Sequence, residues 1–358
     1  MQADIIIIGQ GLSGTWLSWW LGEAGRNVIV IDEGHTQTAS RIASGVINPV
    51  TGRVLAKTWM AETLIPFALE AYTAIGNRLS INCIDTVDIL HAFATQQMRA
   101  AFEKKFPVMP EHLAIPSSTE EWHKLMHAEF GFGIIYPALL IDLNFLLTNW
   151  QLNLINEGRF LQGKFNHSEL LIKENKVIYR DIVADKIIFC DGVGSLDLPY
   201  FNKLPFTPNK GEALLVELEG LPADHIYKKG ISLVPFPHFN QLANPRYFWA
   251  GSTYENIYDS PEPTKAFRDR TESQLHNWLK MPFRVLDHWA AIRPASVERR
   301  PFAGMHPLYP RVGILNGMGT KGCSLAPWLA KEFANHITQG TPINEEASIS
   351  RFSRILGA

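Results

Sequence analysis

Gly9, Gly11 and Gly14 stand in a Gly-x-Gly-x-x-Gly spacing directly behind the apolar run 5–8. Glycines so spaced permit a tight turn, close approach of a pyrophosphate, and close packing of a helix on a strand. The amides of Leu12 and Ser13 at the start of such a helix are suited to hold phosphate oxygens. Asp32 follows Gly9 by 23 residues and closes the next apolar run, where a carboxylate can accept both ribose hydroxyls. Glu33 is a second carboxylate at that point. This pattern alone fits a flavin or a nicotinamide dinucleotide. A nicotinamide domain would proceed into another helical crossover, whereas residues 36–57 are rich in small and polar groups. Ser40, Arg41, Ala43, Ser44 and Gly45 lie in that loop, which has the composition to pass beneath a second large ring system.

Three further groups carry potential chemistry. Arg293 sits between an apolar run and Pro294. A guanidinium there can clamp a carboxylate bidentately or join a surface ion pair. Gly317, Gly319 and Gly322 flank Met318, Thr320 and Lys321 ahead of a helical pattern. Their backbone could lie against a cofactor, with the helix start favouring developing negative charge. Lys321 and the backbone near Gly319 could stabilise charge on a reduced flavin. Cys323 reads as a small buried residue before a nucleophile or a covalent anchor. Tyr227, Tyr254 and His288 are pocket candidates that packing or capping would explain equally. No metal centre is expected from the 12 histidines.

The elements that must position these residues follow from periodicity. Residues 5–8 and 28–31 read as strands buried on both faces, with a helix over 12–24 between them. Helices are expected over 60–75, 96–106, 144–156, 265–279 and 325–337, and over 118–129 from a capping box at Ser118 and Glu121. Strands are expected at 86–90, 169–173, 176–180, 186–190, 213–219, 231–234, 247–250 and 313–315. The 358 residues, 46% hydrophobic and 19% charged, support a sizeable core in about two domains. The formal charge of -2 does not favour a nucleic-acid partner, and three dispersed cysteines argue against a disulfide framework. The run 134–155 is too interrupted by Pro137, Asp142 and asparagines to span a membrane, and no signal peptide is read, so a cytoplasmic enzyme is expected.

Taken together, these motifs resemble the D-amino-acid oxidase superfamily of FAD-dependent oxidoreductases, the group with glycine oxidase and sarcosine oxidase. The resemblance implies an α/β fold: a Rossmann-like, glutathione-reductase-like FAD domain with an inserted antiparallel-sheet substrate domain. The expected division assigns 1–80, 140–205 and 285–358 to FAD, and 81–139 and 206–284 to substrate. Phe165 resembles the residue whose backbone contacts adenine. Cys190-Asp191-Gly192 resembles a strand end usually written Ala-Ala-Gly. Ile292-Arg293-Pro294 with Pro301 and Gly304 resembles the Arg-Pro signature, which implies that Arg293 binds a substrate carboxylate. Gly319-Thr320-Lys321-Gly322 resembles the loop at the flavin's pyrimidine edge.

Two departures stand out. Trp249 occupies the place of the lysine that helps sarcosine oxidases react with oxygen. The segment from Asn48 to Arg53 resembles the flavin domain of a bifunctional enzyme that modifies the wobble uridine of tRNA. The implied activity is oxidation of a C–N bond in a small carboxylated amine or amino acid, by hydride transfer to non-covalent FAD. Oxygen or another acceptor would take the electrons. A flavin-dependent hydroxy-acid dehydrogenase is the main alternative; a tRNA-modifying enzyme or a non-catalytic redox sensor is less favoured.

Overall fold

The computed structural model describes residues 1–52, 54–236 and 246–357. Arg53, at the end of the segment singled out above, lies outside the described residues.

The first strand, Gln2–Ile8, is flanked in parallel by Val28–Asp32 on one side and Ile182–Phe189 on the other. Phe160–Gln162 extends this parallel series beyond Val28–Asp32, and Val312–Asn316 extends it beyond Ile182–Phe189. Leu170–Ile172, Val177–Tyr179 and Phe302–Met305 add antiparallel strands to complete an eight-stranded sheet. Alternation explains why the central strand is a continuous isoleucine run. Ile5 and Ile7 enter the core beneath the helices Leu12–Glu23, Ala61–Leu79, Leu143–Asn156 and Gly322–Gln339. Ile6 and Ile8 enter a second core with Tyr179, Phe189 and Phe201.

The nine-stranded sheet runs Phe283–Arg293, Asn209–Leu218, Tyr247–Gly251, Ile231–Pro235, His225–Lys229, Ile84–Ala92, Phe132–Ile141, Val46–Ile47, with Leu113–Ala114 also on Phe132–Ile141. Its ladders are antiparallel except where His225–Lys229 meets Ile84–Ala92 in parallel. One face packs on the helix Lys265–Trp278 through Leu214, Phe248, Leu275 and Trp278. The other holds Val87, Ile89, Ile226, Val234 and Trp249.

Several expectations are corrected. The capping box at Ser118 does not form: the helix is Glu120–Leu125, Thr119 stands at its N-cap, and Met126 leaves the helix to bridge Leu279. Within the run 134–155 lie the end of a strand and a helix, Leu143–Asn156, capped by Asp142. The helix expected over 60–75 is longer, Ala61–Leu79, with Pro66 accommodated in its second turn. The positions 140 and 285, drawn as boundaries, fall inside Phe132–Ile141 and Phe283–Arg293, both strands of the nine-stranded sheet. Among the described residues no helix is long and apolar enough to cross a membrane.

Candidate active site

The turn from Gln2–Ile8 into Leu12–Glu23 is built as a close approach of backbones. Gly9 has a φ of 95°, and a Cβ there would stand 2.6 Å from the Cys190 carbonyl oxygen. A Cβ on Gly14 would fall 1.8 Å from the Gly9 carbonyl oxygen, so a side chain would pry the helix off its strand. Gly11 is the N-cap, without a side-chain cap; a Cβ there would meet Ser40 Oγ at 2.9 Å. Ser40 Oγ accepts the Leu12 amide at 3.1 Å, and Ser13 is buried in the same first turn. Asp32 accepts the Gln10 amide at 2.6 Å and the Gly34 amide at 2.7 Å, which fixes its carboxylate across the mouth of the turn. Glu33 is exposed and faces His35 at 2.9 Å, pointing elsewhere.

Arg41 reaches Asn144, Thr148, Gln151 and Gln10, at 3.2 to 3.4 Å. Burial lowers its pKa, opposed by the charge of Asp32. Ala43 packs against the main core. Gly45, with a φ of 77°, passes so close to Ile141 that a Cβ would lie 1.9 Å from its carbonyl oxygen. The loop is thereby clamped to the nine-stranded sheet, and Trp249 Nε1 donates to the Ile42 carbonyl at 2.9 Å.

The two glycine clusters from opposite ends of the chain meet. A Cβ on Gly322 would be 3.2 Å from Leu12 Cδ1. Trp20 Nε1 donates to the Pro327 carbonyl, and the Tyr72 hydroxyl to the Cys323 carbonyl. Gly319 adopts a φ of 56° and donates its amide to Pro294, tying this loop to the residue after Arg293. Lys321 is the N-cap residue of Gly322–Gln339 and donates to Thr58 Oγ1 at 3.3 Å; burial lowers its pKa. Cys190, Asp191 and Gly192 lie where the strand Ile182–Phe189 exits beside Gly9. Burial pushes Asp191 up to about 7 against its bond with Ser195. Phe165 stands apart, stacked on Tyr179 at 5.0 Å.

Between the glycine loops and the nine-stranded sheet is a cavity of about 250 Å³. Ser44, Asn48, Thr58, Thr320, Lys321 and Cys323 contribute to one side, and Ile89, Ile226, Lys228, Ser232, Val234 and Trp249 to the other. The sheet residues follow the period-2 rule: Ile226 and Lys228 face the cavity, whereas Tyr227 is buried in the opposite core and donates to the Pro222 carbonyl. Cys323 is buried, which raises its thiol pKa to about 12 and keeps it protonated.

Arg293 is not among the lining residues. Its guanidinium donates to Asn209 Oδ1 at 2.8 Å, the Thr253 carbonyl at 3.1 Å and Ser252 Oγ at 3.0 Å, and Ser252 does line the cavity. Gly211 makes room for it, since a Cβ there would lie 1.9 Å from Nη2. Tyr254 is not brought to the cavity; it is 50% exposed and borders a separate recess with Phe267 and Arg270. His288 instead joins a buried network, 3.0 Å from Glu212, which also accepts from Thr264 and pairs with Lys210 at 3.4 Å. His123 and His127 are four residues apart, but their helix ends at Leu125. Among the described residues no group of three His, Cys, Asp or Glu could hold a metal.

Sequence reasoning missed Lys228, Ser232 and Thr58. For Lys228 the signal was the alternation of His225 to Lys229, masked because Lys228-Lys229-Gly230 has the composition of a turn.

A family model described as FAD dependent oxidoreductase, the DAO family, matches residues 4–336. A glycine oxidase of Pseudomonas aeruginosa is 21% identical over 99% of this chain and 100% of its own length. The bifunctional protein MnmC of Idiomarina loihiensis, of tRNA 5-methylaminomethyl-2-thiouridine biosynthesis, is 22% identical over 98% of this chain, which spans 59% of that protein. The fold is shared with glycine oxidase from Bacillus cereus (TM-score 0.78, 15% identity, 95% of this chain and 96% of that one). It is also shared with iminodiacetate oxidase from Chelativorans sp. (TM-score 0.74, 17% identity, 98% of each chain). With a matching model that spans nearly the whole sequence, from the first strand to the last long helix, the chain belongs to the DAO family of FAD-dependent oxidoreductases.

Proposed function

We propose that this oxidoreductase oxidises the carbon–nitrogen bond of a small carboxylated amine or amino acid. The observation that carries the reading is the cavity of about 250 Å³, bounded on one side by the converged glycine loops and on the other by a sheet face of Ile89, Ile226, Val234 and Trp249 with Lys228 and Ser232. The names of the similar glycine and iminodiacetate oxidases support the amine class. We assign the eight-stranded sheet to a Rossmann-like, glutathione-reductase-like FAD domain and the nine-stranded sheet to substrate, each including its boundary strands.

The residues fit FAD. The helix start at Gly11 offers positive potential to a pyrophosphate, and Ser40, whose Oγ accepts the Leu12 amide and lies over Gly11, would share that site. Asp32 stands ready for ribose, and the segment Ser40 to Gly45 with Gly319 to Gly322 would enclose the ring system. When bound, the flavin supplies a two-electron acceptor for substrate hydride. Ile89, Ile226, Val234 and Trp249 form the apolar part of the chamber wall. Lys321 and the helix start behind it favour negative charge on their side. Arg293, which stands behind Ser252 and donates to its hydroxyl, would hold the substrate carboxylate at that edge through its remaining N–H donors, so that orientation contributes more than a strong side-chain base. Three free, buried cysteines suit a reducing compartment such as the cytoplasm.

Anaerobic flavin reduction by a panel of amino acids, N-methyl amines and hydroxy acids tests the reading. Reduction by amines supports it; reduction by hydroxy acids alone replaces it with a hydroxy-acid dehydrogenase. The likeness to MnmC favours a second reading, a carboxymethylated amine on a tRNA base, which turnover of tRNA but of no small amine would establish.

A further inference from the structure

Lys228 lines the cavity without a hydrogen bond or ion pair among the described residues, and burial lowers its pKa. The second lining cation, Lys321, has only the Thr58 hydroxyl. Among the described residues no aspartate or glutamate contributes to the lining, so neither lysine meets a counter-charge there. An unpaired charge partly withdrawn from water is costly, and an anionic group bound beside it would offset that cost.

The surroundings of Lys228 offer no alternative partner. Its register neighbour on the parallel strand, His91, is 3% exposed, and neither ring nitrogen has a partner. Burial, reinforced by the charge of Lys228, lowers the pKa of His91 to about 3, so the ring is neutral and supplies no counter-charge to the ammonium. Across the sheet, Lys228 is in register with Ser232, and Ser232 with Gly251. The next residue, Ser252, accepts from Arg293. The backbones of Lys228 and Gly251 are therefore two strand spacings apart, roughly 10 Å, and the Arg293 guanidinium reaches that edge from Phe283–Arg293 through its bond to Ser252. A short amine with an acid group at each end, plus a charge-assisted hydrogen bond at either end, has that length.

We infer that Lys228 is a specificity-determining residue that binds a second acid group, making the preferred substrate an amine flanked by two carboxylates. The inference rests on the amine-oxidation reading, since Arg293 holds the other carboxylate.

The test uses FAD-loaded protein under anaerobic conditions, with iminodiacetate and its monoamide as probes in titration calorimetry. Wild type should bind the diacid roughly tenfold or more tighter than the monoamide, as expected for one charge-assisted bond. Lys228→Met should abolish that preference by weakening the diacid alone, and Lys228→Arg should restore most of it. Flavin content and Tm report whether each variant is folded. The inference is overturned if wild type shows no preference, if neither probe binds, or if Lys228→Met retains the preference. Flavin reduction separates the two readings. Reduction by mono-acid amines without a diacid preference removes the role of Lys228 but leaves amine oxidation standing. Lys228-dependent diacid binding without reduction by any amine removes amine oxidation alone.

Discussion

Asp32 and Glu33 are adjacent carboxylates with different surroundings. Asp32 is held by two amides across the dinucleotide turn, whereas Glu33 is exposed beside His35. Asp32→Ala should weaken FAD retention by about 1.5–3 kcal/mol for each charge-assisted bond to ribose. Glu33→Ala should change it little in a cofactor titration. Arg293 is locked by a planar set of bonds that a lysine cannot reproduce. Arg293→Lys should keep FAD bound but lower turnover of an acid substrate about tenfold or more, with a smaller loss on its amide. Measuring kcat and KM for both separates the two effects. Asp191 tests the pH dependence. Its folded pKa, about 7, lies above its ordinary value, so the folded chain holds the proton more tightly. Stability from this group is fully present below the unfolded pKa and is lost as pH rises to about 7. Asp191→Asn should flatten that slope when Tm is measured between pH 5 and 8.

At the scale of elements, the strand–turn–helix around Gly14 is the least tolerant feature. A methyl group there meets the Gly9 carbonyl, so Gly14→Ala should cost stability and FAD together, seen as a lower Tm and a reduced flavin-to-protein ratio. Leu12–Glu23 and its flanking strands were legible because continuous apolar runs and glycine spacing are local signals. The strands Phe132–Ile141 and His225–Lys229 were not, because one carries Pro137 and the other ends in two lysines and a glycine. Lys228 is placed by its strand's pairing with Ile84–Ala92, distant in sequence. A long-range pairing leaves no trace in a short window.

In the molecule as a whole, the cavity to which we assign the chemistry lies where two sheets face one another. The sequence indicated both glycine clusters and the Arg-Pro segment, but not that Arg293 would stand behind Ser252 or that Tyr254 would face away. Those facts depend on which strand lies beside which. The same enclosure bears on cofactor attachment. Cys323, the thiol in the cavity lining, is buried and kept protonated, and so is a poor nucleophile. Acid precipitation should therefore release all the flavin into the supernatant, as absorbance of the pellet and supernatant will show.

The bonds from Trp20 to Pro327 and from Tyr72 to Cys323 also set an order in time. A ribosome delivers the dinucleotide turn some three hundred residues before Gly322–Gln339, the helix that packs against Leu12–Glu23. Until then the apolar face of the early helix has no lasting cover, and half of the cofactor's enclosure does not exist. Flavin capture therefore waits until Gly322–Gln339 has left the ribosome, and the segment around Leu12–Glu23 depends on temporary cover until then.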